Sequence, residues 1–96
     1  MRSRVSWMTG NDDTILEYLH EKDMALPPGT LHFNLEREGF EIGYSTVRRR
    51  LKLLESADLI ENEADDGSYY ALTEKGQEYL AGDLDAAELE RDDEQP

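Results

Sequence analysis

The sequence predicts a small α+β domain in which three helices are followed by a β-hairpin and a last helix. Two observations carry this. Apolar residues recur at helical spacing in three successive stretches between residues 11 and 57. The period then shortens around "LIEN" and "YYALT", two β-prone runs that flank "EADDGS".

The first helix is expected over "NDDTILEYLHEKD". Asn11, Asp12 and Asp13 suit a helix start, and Ile15, Leu16, Tyr18 and Leu19 share one face. In "LPPGTLHFNLEREGF" the prolines fit a first turn and Leu31 and Leu35 stand four apart. Gly39 then offers a left-handed cap before Phe40. A brief extended piece, "FEI" at 40–42, leads to Gly43, a tolerable N-cap for a third helix over residues 44–57. Asp58 is expected to take the positive-φ turn that follows, since Asp accepts that conformation better than most residues with a side chain. Asp66-Gly67 marks the hairpin and Thr73 caps the last helix, "EKGQEYLAG", whose apolar contacts are Tyr79 and Leu80. Helix, helix, helix, strand, strand, helix is the winged helix-turn-helix layout.

The chain has 96 residues and is 38% apolar, which suffices for one modest core. Three parts are expected: an N-terminal arm over 1–7, the domain over 8–82, and an acidic tail or helix extension over 83–96. The tail holds seven acids against Arg91 and cannot form a core of its own. There is no cysteine, so disulfides and thiolate chemistry are excluded. No run of apolar residues is long enough for a membrane span, and "MRSRVSWM" lacks the apolar region of a signal peptide, so a cytoplasmic location is expected.

Charge is the unusual quantity. Twenty-three acids face ten bases, a formal net charge of −13, and lysine is scarce at three residues. Such a surface suits a halophile's cytosol, where multimolar salt screens the self-repulsion. Against that background Arg48, Arg49, Arg50 and Lys52 lie within five positions. On a helix, Val47, Leu51 and Leu54 fall within roughly 60° of one another and define the buried side. Ser45, Arg49, Lys52 and Ser56 then face away, with Arg48 on one flank and Arg50 on the other. A small, hydroxylic and basic face is what a major-groove helix requires, because arginine can donate two bonds to guanine while hydroxyls and lysine reach phosphates.

Ser45, Arg48, Arg49 and Lys52 are therefore expected to contact duplex DNA, with Thr46 or Arg50 on flanking phosphates. The bland reading is that these cations pair with acids of the same chain. Tyr44 is placed near the buried side of its helix, packing rather than stacking on a base. Trp7 and Met8 are expected to cover an edge of the core or a dimer seam, and Tyr69 and Tyr70 alternate, one inward and one outward.

Chemistry is poorly represented. His20 and His32 lie on different helices without ligand spacing, the Asp pairs do not form an EF-hand loop, and no glycine-rich phosphate cradle occurs. No enzyme activity, cofactor, metal or small-molecule substrate is expected.

Three blocks, "SWMTGNDDTILEYL", "YSTVRRRLKLLESADLI" and "YYALTEKGQEYL", resemble the small haloarchaeal winged-helix transcriptional regulators related to the phage phi-H repressor. The resemblance covers roughly residues 6–81. It implies a cytoplasmic, sequence-specific DNA-binding protein, expected to be a homodimer and a repressor. The chain departs from that pattern twice. Asp58 stands where glycine is usual, and the wing from Asn62 to Ser68 carries Glu63, Asp65 and Asp66 with no basic residue, so wing contacts to DNA are not carried over. The competing expectation is a winged-helix module that binds a protein partner through its acidic wing and tail without touching DNA.

Overall fold

The computed structural model describes residues 7–82. The arm before Trp7 and the tail from residue 83 lie outside the described residues. The elements are α1 (Gly10–Lys22), α2 (Pro28–Arg37), α3 (Tyr44–Ser56), β1 (Ile60–Asn62), β2 (Tyr70–Leu72) and α4 (Glu74–Ala81). The order is the winged helix-turn-helix order read from the sequence.

The first helix starts earlier than Asn11. Thr9 is the N-cap, and its backbone N–H donates to the Asp12 carboxylate at 2.9 Å. A Thr followed three residues later by an acid satisfies orphan N–H groups from both directions, so it outcompetes a start at Asn11. Asp23 closes α1 in the left-handed region, φ 51°, donating to Leu19 O. In α2, Pro27 is the N-cap and Pro28 opens the helix, and the chain leaves through Gly39 at φ 98°. Asp58 takes φ 63° after α3, as its side-chain chemistry permits.

The core is built from one stripe of each helix: Ile15, Leu16 and Leu19 of α1, Leu31 and Leu35 of α2, Val47, Leu51 and Leu54 of α3, and Tyr79 of α4, with Leu59 and Ile60 beneath the sheet. Each buried aliphatic side chain contributes about 1.5–3 kcal/mol, against about 1 kcal/mol for a typical cap, and the core holds many of them, so burial decides how the helices face one another. Met8 is buried, and Trp7 packs against the cluster at its edge.

β1 and β2 pair antiparallel, with Ile60 opposite Leu72 and Asn62 opposite Tyr70. The extended piece at 40–42 makes no ladder. The third participant comes from the α1–α2 connection instead, where Leu26 and Tyr70 exchange two backbone bonds of 2.9 Å. Tyr70 is buried and Tyr69 exposed, as their alternation requires. The hairpin does turn at Gly67, φ 99°, but the connection is longer than a two-residue turn. Glu63 N still donates to Tyr69 O at 2.9 Å, and Asn62 ties the rest of the connection: its Oδ1 accepts from Ala64 N at 3.1 Å and Tyr69 N at 3.0 Å, and its Nδ2 donates to Gly67 O at 3.1 Å.

The start of α4 is fastened to the chain that leaves α3. The Thr73 hydroxyl donates to Asp58 O at 2.6 Å and accepts from Gly76 N at 3.0 Å, while Thr73 N donates to Leu59 O at 3.1 Å. Tyr79 OH donates to Asp13 Oδ1 at 2.6 Å, tying the other end of α4 to α1. The approach at Gly76 is so close that a Cβ would press into the Leu59 carbonyl and sit 2.6 Å from Leu72 Cδ1. Backbone cannot swing away as a side chain can. Gly76→Ala is therefore expected to lower stability by about 2 kcal/mol or more, the scale of overpacking strain, measured by urea denaturation at fixed molar KCl. A change within about 0.5 kcal/mol, the range of neutral surface substitutions, would contradict this packing.

Candidate nucleic-acid interface

α3 presents two chemically distinct sides. Val47, Leu51 and Leu54 are buried; on the far side Ser45, Arg49, Lys52 and Ser56 are exposed, as is Arg48 on the flank. Thr46 is partly covered. Among the described residues, no carboxylate lies within ion-pairing distance of Arg48, Arg49 or Lys52; the pairs that form involve Lys22, His32 and Arg50. The intramolecular neutralisation that would have silenced this patch is therefore absent from the described residues. Gly43 has no side chain with which to cap α3, and the first turn of the helix, Tyr44 and Ser45, is exposed.

Arg50 is the correction. It is not available for a flanking phosphate: its Nε donates to Asp12 Oδ1 at 2.8 Å, and its Nη2 to Asp12 Oδ2 at 2.6 Å and to Trp7 O at 2.8 Å. The Asp12 side chain is fully buried and that of Arg50 only 11% exposed. The geometry is the two-pronged match of guanidinium to carboxylate. A position on the flank of α3 that points at α1 meets a buried acid before it can meet DNA, and the acid's position, 38 residues earlier, is invisible to helical periodicity.

Tyr44 is the second correction. It is 44% exposed, not packed inward. Its ring meets His32 of α2 edge to face, centroids 5.7 Å apart, and the Arg48 guanidinium carbon lies 5.9 Å from its centroid. His32 Nε2 is itself 3.3 Å from Glu36 Oε2. Its spacing, four residues before Arg48, was the available signal, since residues four apart on a helix are neighbours.

The wing offers no such surface. Glu63, Asp65 and Asp66 are exposed, and no basic residue stands among them. No group of three or more His, Asp or Glu side chains among the described residues is arranged to hold a metal ion.

Comparison with known proteins bears on the fold and the family. The family model described as winged helix-turn-helix phage repressor matches residues 1–92. The repressor protein of Halobacterium phage phiH is 34% identical over 96 residues, spanning 95% of this chain and 99% of that protein. The crystal structure of a PhiH1 repressor-like protein from Haloarcula marismortui superposes with a TM-score of 0.76 at 42% identity, over 90% of this chain and 91% of the other.

The separate environments of neighbouring arginines have a measurable consequence. Arg50→Ala strands the buried Asp12 carboxylate and is expected to cost about 3 kcal/mol or more of folding stability. Arg49→Ala removes an exposed side chain and should stay within about 0.5 kcal/mol of the parent. Urea denaturation of the two variants at one KCl concentration checks this, and equal stabilities would contradict it.

Proposed function

The chain belongs to the winged helix-turn-helix phage repressor family, and on that footing we propose that it represses transcription by binding duplex DNA sequence-specifically, with α3 in the major groove. The observation that carries this reading is the unpaired, outward set Arg48, Arg49 and Lys52 on the side of α3 opposite its core stripe. Arg48 and Arg49 are suited to donate two bonds each to guanine O6 and N7. Lys52, Ser45 and Thr46 suit phosphate oxygens, which set register without reading sequence. The α3 N-terminus is exposed and has no side-chain cap, so its first backbone N–H groups are left for solvent or a phosphate.

An acidic body is compatible with this role where salt is high. At about 1 M ionic strength the Debye length is about 3 Å, so the acids of the wing do not repel DNA from a distance. Affinity then rests on direct contacts in the groove, for which arginine's fixed fork is better suited than lysine. A homodimer would place two α3 helices on half-sites about 34 Å apart and make the operator palindromic. The location that follows is the cytoplasm; no helix among the described residues is long and apolar enough to cross a membrane.

The exposed acids of the wing support the rival reading, a module that holds a basic protein partner. Selection of bound sequences from random duplex DNA in about 1 M KCl, where nonspecific electrostatics are weak, separates the two. The parent is expected to enrich a palindromic motif. Arg49→Ala should blur one position of each half-site and weaken binding about 10- to 100-fold, the scale of one lost two-pronged base contact. A folded parent that enriches nothing would overturn the DNA reading.

A further inference from the structure

α3 carries one exposed aromatic side chain beside Arg48 that no charge argument selects. Tyr44 is its first residue, it is 44% exposed, and it stands one helical turn before Arg48. His32 of α2 meets the ring edge to face at 5.7 Å and an interplanar angle of 65°, and the Arg48 guanidinium carbon is 5.9 Å from the ring centroid. The first distance and angle are those of a T-shaped aromatic pair, and the second is within reach of a cation–π contact. The aromatic ring and the guanidinium are thus partly ordered against each other in the free protein. Nothing in the core requires this: Tyr44 lies outside the buried cluster formed by Val47, Leu51 and Leu54. An exposed aromatic side chain at the leading turn of a helix that enters the major groove meets base edges, because the N-terminal residues of such helices reach deepest. The apolar feature offered there is the thymine methyl group, and apolar contact with it is an established means of direct readout.

We propose that Tyr44 and Arg48 read DNA as one unit, the Tyr44 ring lying against the methyl group of a thymine next to the guanine held by Arg48. This rests on the reading of α3 as the DNA helix and adds a specificity that the basic residues cannot supply, since a guanidinium does not distinguish thymine from its unmethylated counterpart.

Deoxyuridine tests it, for it differs from thymidine only by that methyl group. Duplexes carrying the enriched motif are made with deoxyuridine at each thymidine in turn and titrated with the full chain in about 1 M KCl. The parent is expected to lose about fourfold in affinity at one thymidine of each half-site, the effect of one buried methyl. Tyr44→Phe, which keeps the ring, should keep that ratio; Tyr44→Ala should bring it close to one, and circular dichroism should show both variants folded. Indifference of the parent to deoxyuridine at every position overturns the proposal, as does a ratio that survives in Tyr44→Ala. A uniform loss in Tyr44→Phe without any methyl effect would reassign the contact to its hydroxyl and overturn it too. Failure of the underlying DNA reading is distinct, because the parent then enriches no motif and no duplex bearing one can be made.

Discussion

One carboxylate, that of Asp12, orients the helix on which the functional reading depends. It accepts the backbone N–H of Thr9 at the start of α1 and both prongs of Arg50 from α3, and the same guanidinium reaches Trp7 O. A helix start, the segment before it and the middle of α3 therefore meet at a single buried point. A buried ion pair is weak evidence of net stability, because desolvating two charges costs about as much as their attraction returns. Its effect here is on which arrangement forms. The stripe Val47, Leu51 and Leu54 fixes which side of α3 is inside, and Arg50 on its flank fixes the rotation, leaving Arg48, Arg49 and Lys52 outward. Screening by multimolar salt acts on exposed charges and reaches this enclosed pair far less.

The rest of the domain supports that helix from its far end. Asp58, in the left-handed region, turns the chain out of α3, and its carbonyl accepts the Thr73 hydroxyl that also caps α4. Gly76 lets α4 approach the Leu59 carbonyl closely enough for this to occur. The run Leu72-Thr73-Glu74-Lys75-Gly76 thus has a mechanical meaning: strand, cap and close approach follow in the order that presses α4 onto the end of α3. Tyr79 completes the circuit by bonding Asp13, the neighbour of the carboxylate that holds Arg50.

What the sequence made legible was whatever is encoded locally. The stripes of α1, α2 and α3, the positive-φ turn at Asp58, the cap at Thr73 and the alternation of Tyr69 and Tyr70 all follow from spacing and side-chain chemistry, and all are present. The misreadings concern partners distant in the chain or competing at close range. Asn11 suits a helix start, but the reciprocal pairing of Thr9 with Asp12 sets the start earlier. Arg50 was indistinguishable from Arg48 and Arg49 as a charge, because the group that separates them belongs to another helix. By its helical angle Tyr44 falls near the buried stripe, whereas its ring lies at the surface against His32 of α2. Leu26 pairs with Tyr70 across 44 positions, a relation without a local sequence signature.

Three adjacent arginines divide between the outward face and the buried carboxylate, and the side-chain Nε–H resonances of isotope-labelled protein report on that division directly. As a selected duplex is added in about 1 M KCl, where nonspecific association is suppressed, the Arg48 and Arg49 signals are expected to move while that of Arg50 keeps its position from free to bound state. Movement of Arg50 with Arg48 and Arg49 unchanged would contradict it.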